Sequence, residues 1–484
     1  MKARRRSRAS LVIAAAAALG GTAGLAMGSG CSGNCCTIDS LPIPLAWTPL
    51  GAGAPGRPGG LRASARSATT NGNQPFAMSI DTASPLTVSN GSADGTGETV
   101  SRSFEILDAV QGTAVRASFH DIAMLSVPLG TIGDALSQPG GVFGGDLLRG
   151  FSVEFRFGDP SMTFWPNQRA DDGFLSSVGY AVIHFTTFGG GEITATGSPD
   201  LFGLRGPANV APSRIVFRTC AAPNLFDPMT SPRELCCKRG DAITNSTGTP
   251  LALLLATGVG PLVLSERAWT RLMAGLLPSV PDVVPDGKLF VASVKDPLAV
   301  SWSTLPSTAH LVLVNQEASA AADPGPCVEL ARSRRIEWVA YRQQGTPDTA
   351  VCVQPCDTDP NETDKAQSSA AYVEIGAEAG SEIPVAILKD GDPYLEGLRA
   401  DIRPEGPEID GIIGAGVLAH TRVEIDYRSS ANRAIFSCDG SADRSVCRAG
   451  PRCPRLPDNT QVHTCFGLSD GRLPTTCADD MCGN

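Results

Sequence analysis

The stretch Ile80-Asp-Thr-Ala-Ser-Pro-Leu-Thr-Val-Ser89 decides the fold, because it is a short turn set between two apolar strands. The strand that enters the turn is predicted by Phe76-Ala-Met-Ser-Ile80, and the strand that leaves it by Leu86-Thr-Val88. A similar stretch, Leu255-Ala-Thr-Gly-Val-Gly-Pro-Leu-Val-Leu-Ser265, occurs later with one extra residue. The chain therefore contains this strand, turn and strand twice.

A second pair of similar segments follows in the same order. Gly141-Val-Phe-Gly-Gly-Asp-Leu-Leu-Arg-Gly-Phe-Ser-Val-Glu-Phe-Arg-Phe157 aligns without a gap with Gly411-Ile-Ile-Gly-Ala-Gly-Val-Leu-Ala-His-Thr-Arg-Val-Glu-Ile-Asp-Tyr427, at an offset of 411 minus 141, or 270. Both pass from two apolar residues and a glycine, through a short helical turn, into an alternating strand. Two matches in one order predict that a whole lobe is duplicated.

We place the first lobe at 71–215 and the second at 216–440. From turn to glycine the first lobe spans 144 minus 81, or 63 residues, and the second 414 minus 256, or 158. The second lobe therefore carries an insertion, predicted at about 285–370. This insertion is either a disulfide-braced surface loop or a module for specificity or partner binding. The 53 Gly and 37 Pro, with few aromatic residues, favour an all-β architecture with many turns.

These motifs resemble the signature of pepsin-like and retropepsin-like aspartic proteases, in which each lobe has a strand ending in Asp-Thr-Gly-Ser and a later apolar-apolar-Gly segment. The resemblance implies an all-β, two-lobed pepsin-like fold with a Cys-rich C-terminal tail. It implies that Asp81 is a catalytic aspartate, that Ser84 bonds the Asp81 carboxylate, and that Thr82 and Thr257 cross-link the two loops beneath it. Ala83 replaces the family's Gly, so we expect a slightly reshaped loop.

The second lobe departs from this signature at Ala256, which stands where the resemblance requires the second catalytic aspartate. The chemistry needs two carboxylates about 3 Å apart that share one proton, and a methyl group cannot hold a proton. Asp241 and Glu266 are candidate substitutes, but neither has a spacing that obviously returns it to the same point. No histidine has the spacing that a Ser-His-Asp triad would suggest.

Three functional hypotheses remain open at this stage. The chain is a non-catalytic protein that binds a peptide or a partner protein in the interlobe cleft, an acid endopeptidase that uses Asp81 and an unidentified second acid, or a purely structural remnant. We expect no cofactor, no metal ion and a monomer. The formal charge of −10 becomes −15 without the five basic leader residues (34 minus 49), which argues against nucleic acid as a partner.

The first 30 residues have the layout of a signal peptide, with basic residues from Lys2 to Arg8 and an apolar run from Leu11 to Leu19. The segment Ala26-Met-Gly-Ser-Gly-Cys31 resembles a bacterial lipoprotein cleavage box, although Gly28 replaces the usual Leu. We therefore expect an exported cell-envelope protein anchored to the membrane by lipid on Cys31. The alternative is cleavage near Ala26 and a soluble product. Residues 31–70, rich in Pro and Gly, predict an unordered linker.

The 15 cysteines predict disulfides, because an exported chain meets an oxidising compartment. Fourteen remain if Cys31 is lipidated, and their pairing does not follow from the sequence. A zinc site is disfavoured, because no histidine lies at ligand spacing from any cysteine pair. Residues 441–484 contain little apolar material and predict a small tail that depends on disulfides.

Overall fold

The structure is a computed structural model of the 484-residue chain, and it describes parts of both lobes. The described residues are 36–39, 41–54, 59–67, 75–90, 98–108, 114–127, 139–165, 180–189, 212–223, 249–276, 281–292, 296–307, 309–314, 372–377, 382–402, 406–427, 432–439 and 446–450, the short strands 26–27, 191–193, 208–210, 339–343, 350–353 and 460–464, and the single residues 172, 175 and 294. Strands are numbered below in chain order. The predicted all-β, two-lobed fold is confirmed.

The first sheet forms the body of the N-terminal lobe and holds the Asp81 turn. Its eight strands are β2 (Cys36–Ile38), β4 (Ala46–Trp47), β5 (Leu61–Ser67), β6 (Phe76–Ile80), β7 (Val88–Asn90), β8 (Glu98–Leu107), β9 (Val115–Val127) and β10 (Pro139–Phe143). β10 lies between β6 and β7, parallel to the former and antiparallel to the latter. The rings of Phe104, Phe119 and Phe143 pack inside the lobe with centroids 4.9 to 6.1 Å apart.

The second sheet repeats this arrangement in the C-terminal lobe and holds the Ala256 turn. Its eleven strands are β14 (Thr187–Phe188), β17 (Arg214–Pro223), β18 (Thr249–Ala256), β19 (Leu262–Ser265), β20 (Val284–Leu289), β21 (Leu298–Leu305), β22 (Ala309–Val314), β25 (Tyr372–Ile375), β26 (Ile383–Leu388), β27 (Gly411–Gly414) and β30 (Cys447–Gly450). β27 is parallel to β18 and antiparallel to β19. Both sheets therefore place the apolar-apolar-Gly strand between the two strands that flank the turn.

A third sheet joins the lobes. Its six strands are β3 (Ile43–Pro44), β11 (Ser152–Arg156), β12 (Ser161–Trp165), β13 (Ala181–His184), β28 (Thr421–Asp426) and β29 (Arg433–Cys438). β11 and β28, the strands that end the second repeated segment, pair antiparallel with Glu154 opposite Glu424. Because these two residues are equivalent in the repeat, a pseudo-twofold axis passes between them. Glu154 accepts hydrogen bonds from Arg156 and Arg422, whereas Glu424 accepts one from Ser152.

Short helices and two small sheets complete the described part of the chain. The helices are α1 (Gly145–Leu148), α2 (Glu266–Leu276), α3 (Pro393–Ile402) and a 3-10 turn (Ala415–Leu418). The small sheets contain β1 (Ala26–Met27), β15 (Gly191–Ile193) and β16 (Ala208–Val210), and β23 (Val339–Gln343), β24 (Ala350–Val353) and β31 (Thr460–Thr464). As the repeat predicts, α1 and the 3-10 turn follow equivalent glycines. No helix in the described part has the length and apolar character needed to cross a membrane.

The prediction of an unordered linker over 31–70 is wrong for most of its length. Within it, β3 pairs with β12, and β5 pairs with both β6 and β8. Ile43 and Leu61 are fully buried, and the small side chains of Ala63 and Ala65 fill the interior beside them. A composition rich in Pro and Gly shows only that the segment cannot fold alone; here its backbone hydrogen-bonds to strands that lie elsewhere in the chain.

The insertion predicted for about 285–370 includes residues that belong to the second sheet itself. β20 and β21 pair with each other, β21 pairs with β26, and β22 lies between β17 and β25. These pairings are long-range in sequence, so the distance between motifs did not reveal them. Apart from β23 and β24, residues 315–371 lie outside the described residues.

Disulfides occur in the described part of the chain, as the cysteine count predicts. Cys438 at the end of β29 is bridged to Cys447 at the start of β30. Cys36 and Cys220 are also disulfide-bonded. Except for β30, β31 and Val446, the tail at 441–484 lies outside the described residues.

Candidate functional site

The two turns follow equivalent strands and are supported in the same way. The Asp81 turn follows β6, and the Asp81 N–H donates to the carbonyl oxygen of Phe143 at 3.1 Å. The N–H of Gly145 donates to the carbonyl of Ser84 at 2.7 Å, and the N–H of Ala415 donates to the carbonyl of Val259 at 2.7 Å. Residues 145 and 415 are equivalent in the repeat, so each turn is held from below by the start of its own short helix.

Two threonines lock the turns to each other. The Thr82 hydroxyl donates to the carbonyl of Leu255 at 3.0 Å, and the Thr257 hydroxyl donates to the carbonyl of Ile80 at 2.8 Å. Each hydroxyl oxygen also accepts the backbone N–H of the other threonine, at 3.1 and 3.2 Å. Both side chains are fully buried. The structure therefore brings Thr82 and Thr257 together in a reciprocal set of four hydrogen bonds between the lobes.

The Asp81 carboxylate lies where the two turns meet. Its Oδ1 atom accepts the N–H of Ala83 at 3.0 Å and the N–H of Gly258, from the other lobe, at 3.3 Å. Gly258 is needed here for close approach, because a Cβ at this position would lie 2.6 Å from Asp81 Cγ. The exposed fraction of Asp81 is 0%. A peptide bond cannot reach this carboxylate in the observed arrangement.

Ala256 occupies the equivalent position in the second lobe and is also 0% exposed. Its methyl group belongs to a buried apolar cluster that includes Ala83, Val259 and Val291. The described site therefore has a carboxylate from one turn and a methyl group from the other. Such an arrangement lacks the proton-sharing acid pair on which aspartic protease chemistry depends.

Ser84 and Ala83 differ from what the resemblance implies. The Ser84 hydroxyl donates to the carbonyl of Leu86 at 2.8 Å, within its own turn, and the Asp81 carboxylate is held by backbone N–H groups instead. Neither Ala83 nor Gly258 has a positive φ among the described residues. Ala83 therefore fits its turn without strain, and the expected reshaping at this residue is not required.

The segment that follows β20 covers the site from the second lobe. The N–H of Ala292 donates to the carbonyl of Gly258 at 3.3 Å, and a Cβ at Gly258 would lie 2.7 Å from the Ala292 methyl. Residues 50–52 run beside this segment, since the N–H of Phe290 donates to the carbonyl of Leu50 and the N–H of Lys288 donates to that of Ala52. The segment that follows β20 therefore contacts Gly258 directly and is itself held by residues 50–52.

Sequence reasoning missed two contacts with the site. Leu61 N–H donates to the carbonyl of Thr257 at 2.9 Å, and Gly60 lies against the Gly258 backbone. Arg214, which is 1% exposed, donates from Nε to the carbonyl of Ala83 at 2.9 Å and pairs with Asp401 at 2.8 Å. The alternation in Leu61-Arg-Ala-Ser-Ala-Arg-Ser67 was a signal for the first contact, but no local pattern marks Arg214.

The candidate substitute acids do not complete a dyad in the described structure. Glu266 is exposed at the first residue of α2, and Asp241 lies outside the described residues.

Another acid, Asp146, lies beneath the Asp81 turn. Burial raises the pKa of Asp146, against the opposing effect of hydrogen bonds from Thr87 and Leu147. Because Thr87 also accepts the N–H of Gly144, Asp146 is part of the support beneath the Asp81 turn. Cys31, the predicted lipidation site, also lies outside the described residues.

No protein-family profile matches the chain, and no curated protein matches its sequence. Among solved structures the chain is similar to basic 7S globulin from soybean, with 11% sequence identity and a TM-score of 0.35. The match covers 82% of this chain and 95% of that chain.

Proposed function

We propose that this chain is an exported, lipid-anchored cell-envelope protein that keeps the two-lobed aspartic protease architecture without proteolytic activity and binds a peptide or partner protein beside the interlobe site. The observation that carries the loss of activity is the fully buried Ala256 methyl opposite Asp81. Positioned acid–base groups each contribute roughly 10²- to 10⁴-fold to a reaction rate, and here one member of a coupled pair is missing.

The surroundings of the site support the same conclusion. The carbonyl of Gly258 is taken by Ala292, and the carbonyl of Ala83 is taken by Arg214. An extended substrate would have to compete with both of these hydrogen bonds before it reached Asp81. Loss of the second acid and closure of the site therefore act in the same direction.

The surface that suits an extended partner is β20, which leads directly into the covering segment. β20 is an edge strand of the second sheet. Residues 50–52 cover its end, where the N–H of Lys288 donates to the carbonyl of Ala52, but its first residues, 284–286, are exposed. Val283 is 45% exposed and Val284 55% exposed, which is unusual for large apolar side chains in this structure. An exposed edge strand can accept another strand through backbone hydrogen bonds, with apolar side chains adding affinity.

The test of lost activity uses the full chain without its leader and an unstructured protein substrate between pH 3 and pH 5. We expect no cleavage by the natural protein, and none by Ala256→Asp, since the site is covered as well as incomplete. Cleavage by the natural protein that disappears in Asp81→Asn would overturn the proposal. Cleavage by Ala256→Asp alone would show that the site opens and that only the acid was missing.

The test of binding uses peptides selected from a random library on the immobilised full chain. We expect bound peptide to protect residues 283–286 from hydrogen exchange, and Val284→Lys to reduce affinity about tenfold or more. Leu41→Lys is the matched control, because Leu41 is a comparably exposed apolar residue in the N-terminal lobe. Protection elsewhere, or an equal loss in the control, contradicts the assignment to β20.

Export and anchoring are supported by the basic and apolar leader and by the small residues before Cys31. We expect mass spectrometry of the protein from bacterial membranes to show a diacylglycerol-modified Cys31 as the first residue. Cys31→Ala should move the protein from the membrane fraction to the soluble fraction. An unmodified N-terminus near Ala26 would instead indicate ordinary signal cleavage.

A further inference from the structure

The N-terminal lobe contains a second concave site, remote from Asp81. Its cavity has a volume of about 410 Å³, and its lining includes Phe76, Met78, Ser89, Arg102, Phe104 and Met124. Phe76 and Met78 lie toward the start of β6, whereas Asp81 follows its end. At about 3.3 Å per residue, five residues of strand place Phe76 about 16 Å from Asp81 along the chain. The cavity is therefore separate from the interlobe site.

The inner wall of this cavity is apolar. The side chains of Met78, Phe104 and Met124 are almost fully buried and come from β6, β8 and β9. Strand pairing brings these three side chains together, since β8 pairs with β9 and β6 joins the same sheet through β5. Thioethers adapt to ligands of irregular shape, because methionine is unbranched and polarisable. A volume of this size lies within the range of small-molecule sites.

A buried hydroxyl group also lines the cavity. Ser89 is 7% exposed, and its hydroxyl oxygen is buried without a hydrogen-bond partner in the described structure. A buried hydroxyl without a partner costs free energy, so such a group points to a ligand or water that completes it. The Ser89 hydroxyl is therefore the observation that distinguishes this cavity from a packing gap.

The rim carries a positive charge. Arg102 is exposed on β8 opposite Ile122, on the strand face that Met124 also occupies. The Arg102 guanidinium has no hydrogen bond or ion pair with any described residue. On a chain with a net charge of −10, a cation without an acidic partner at the mouth of an apolar cavity favours an anionic group at the rim.

From these features we propose that the cavity binds a small amphipathic carboxylate. The guanidinium of Arg102 holds the carboxylate at the rim, the Ser89 hydroxyl donates to it or to a second polar group below it, and the alkyl or aryl part lies against Met78, Phe104 and Met124. One cation suits a monoanionic head group better than a dianionic phosphate.

Octanoate is a suitable first probe, with 1-octanol as its uncharged analogue, and methionine methyl NMR of the full chain reads the site directly. We expect octanoate to shift the methyl signals of Met78 and Met124 saturably, with the signals assigned through Met→Leu variants. Arg102→Gln should weaken octanoate binding about tenfold or more and leave octanol binding unchanged. Ser89→Ala should weaken octanoate binding about threefold or more.

Arg267→Gln is the control for a general charge effect, because Arg267 is exposed on α2 of the other lobe. We expect this variant to bind octanoate as the natural protein does. Absence of saturable shifts at both methionines would overturn the proposal, as would octanoate binding that Arg102→Gln and Arg267→Gln change equally. Methyl spectra of each variant without ligand report folding, so an unfolded variant cannot be mistaken for a lost site.

Discussion

The Asp81 turn and the Ala256 turn have the same support and opposite chemistry. Each follows a strand of its sheet, each is bonded to the start of a short helix, and each contributes one threonine to the lock between the lobes. Only the first turn carries a carboxylate. The comparison teaches that the scaffold of such a site and its reactive groups are separable, because the lock uses hydroxyl and backbone atoms and does not involve the acids.

The residues that follow the two threonines, Ala83 and Gly258, show a second difference, because different groups donate to their carbonyl oxygens. In the first turn the Ala83 carbonyl accepts a side-chain hydrogen bond from buried Arg214, whereas in the second turn the Gly258 carbonyl accepts a backbone bond from Ala292. One turn is therefore closed by a distant charged residue and the other by the segment that follows β20.

The largest effect is expected from Ala256→Asp, which gives both turns the same acid. A second carboxylate in this fully buried site has a raised pKa, so the folded state binds its proton more tightly than the unfolded state does. The free energy of unfolding of Ala256→Asp should therefore fall as pH rises above about 4. Relative to the natural protein, we expect a loss of about 4 kcal/mol at pH 7 and about half that at pH 4. Urea unfolding at the two pH values measures this. Ala256→Asn is the control, since its loss should not depend on pH in this range.

The threonine lock predicts equal losses for Thr82→Val and Thr257→Val. Each substitution leaves one buried carbonyl and one buried N–H without their partners, which costs about 3 kcal/mol of unfolding free energy. Thr163→Val is the matched control, because Thr163 is buried and its side chain makes no hydrogen bond in the described structure. If the losses of Thr82→Val and Thr257→Val differ by more than about 1.5 kcal/mol, the two threonines do not contribute equally to the lock.

Arg214→Met tests the side-chain closure of the first turn. The substitution keeps an apolar stem of similar length but removes the bonds to Ala83 and Asp401, so we expect a loss of about 2 kcal/mol. Hydrogen exchange should become faster at residues 81–84 and stay unchanged at 256–259, where Ala292 makes the closing bond. Equal acceleration in both turns would mean that Arg214 supports the lobe interface as a whole.

The smallest effect is expected at the equivalent glutamates of the joining sheet. The pKa of buried Glu154 is lowered: burial alone raises it, but hydrogen bonds and charge from Arg422 and Arg156 outweigh the burial. Because the pKa of Glu154 is lower in the folded state than its ordinary value near 4.5, the ionised carboxylate stabilises the folded protein above that ordinary value. This stability is lost as the pH falls through the folded-state pKa. Arg422→Met should therefore cost about 1 kcal/mol at pH 7 and progressively less below pH 4, because Arg422 is partly exposed. Denaturant unfolding across this range checks the sign.

The sequence revealed the elements that are local and repeated. The glycines at 144 and 414 followed from one constant offset, and the turns at Asp81 and Ala256 followed from a short repeated motif. The role of Thr257 followed from the family resemblance of these motifs. Such motifs are visible because each needs particular residue types within a few positions. The lost carboxylate was visible for the same reason, since one position in a duplicated pattern had changed.

The remaining parts depend on contacts between distant segments. β5 was misread because Ala63 and Ala65 are small, and their burial becomes apparent only when β6 and β8 lie beside them. Arg214 reaches its turn from 131 residues away and carries no motif. The Ser84 hydroxyl donates to the carbonyl of Leu86 and not to the Asp81 carboxylate, and this choice depends on the orientation of the turn.

The pairing of Cys36–Ile38 with β9 would limit how far a lipid-anchored form of the protein could stand from a membrane. If Cys31 carries lipid, only four residues lie between it and Cys36 at the start of the first sheet, and the five steps from Cys31 to Cys36 reach about 17 Å when fully extended. The N-terminal lobe would then rest against the head groups instead of swinging on a long tether. The short segment between Cys31 and Cys36 would then set the orientation of the molecule on the bilayer. It would also decide which faces of the protein a partner can approach.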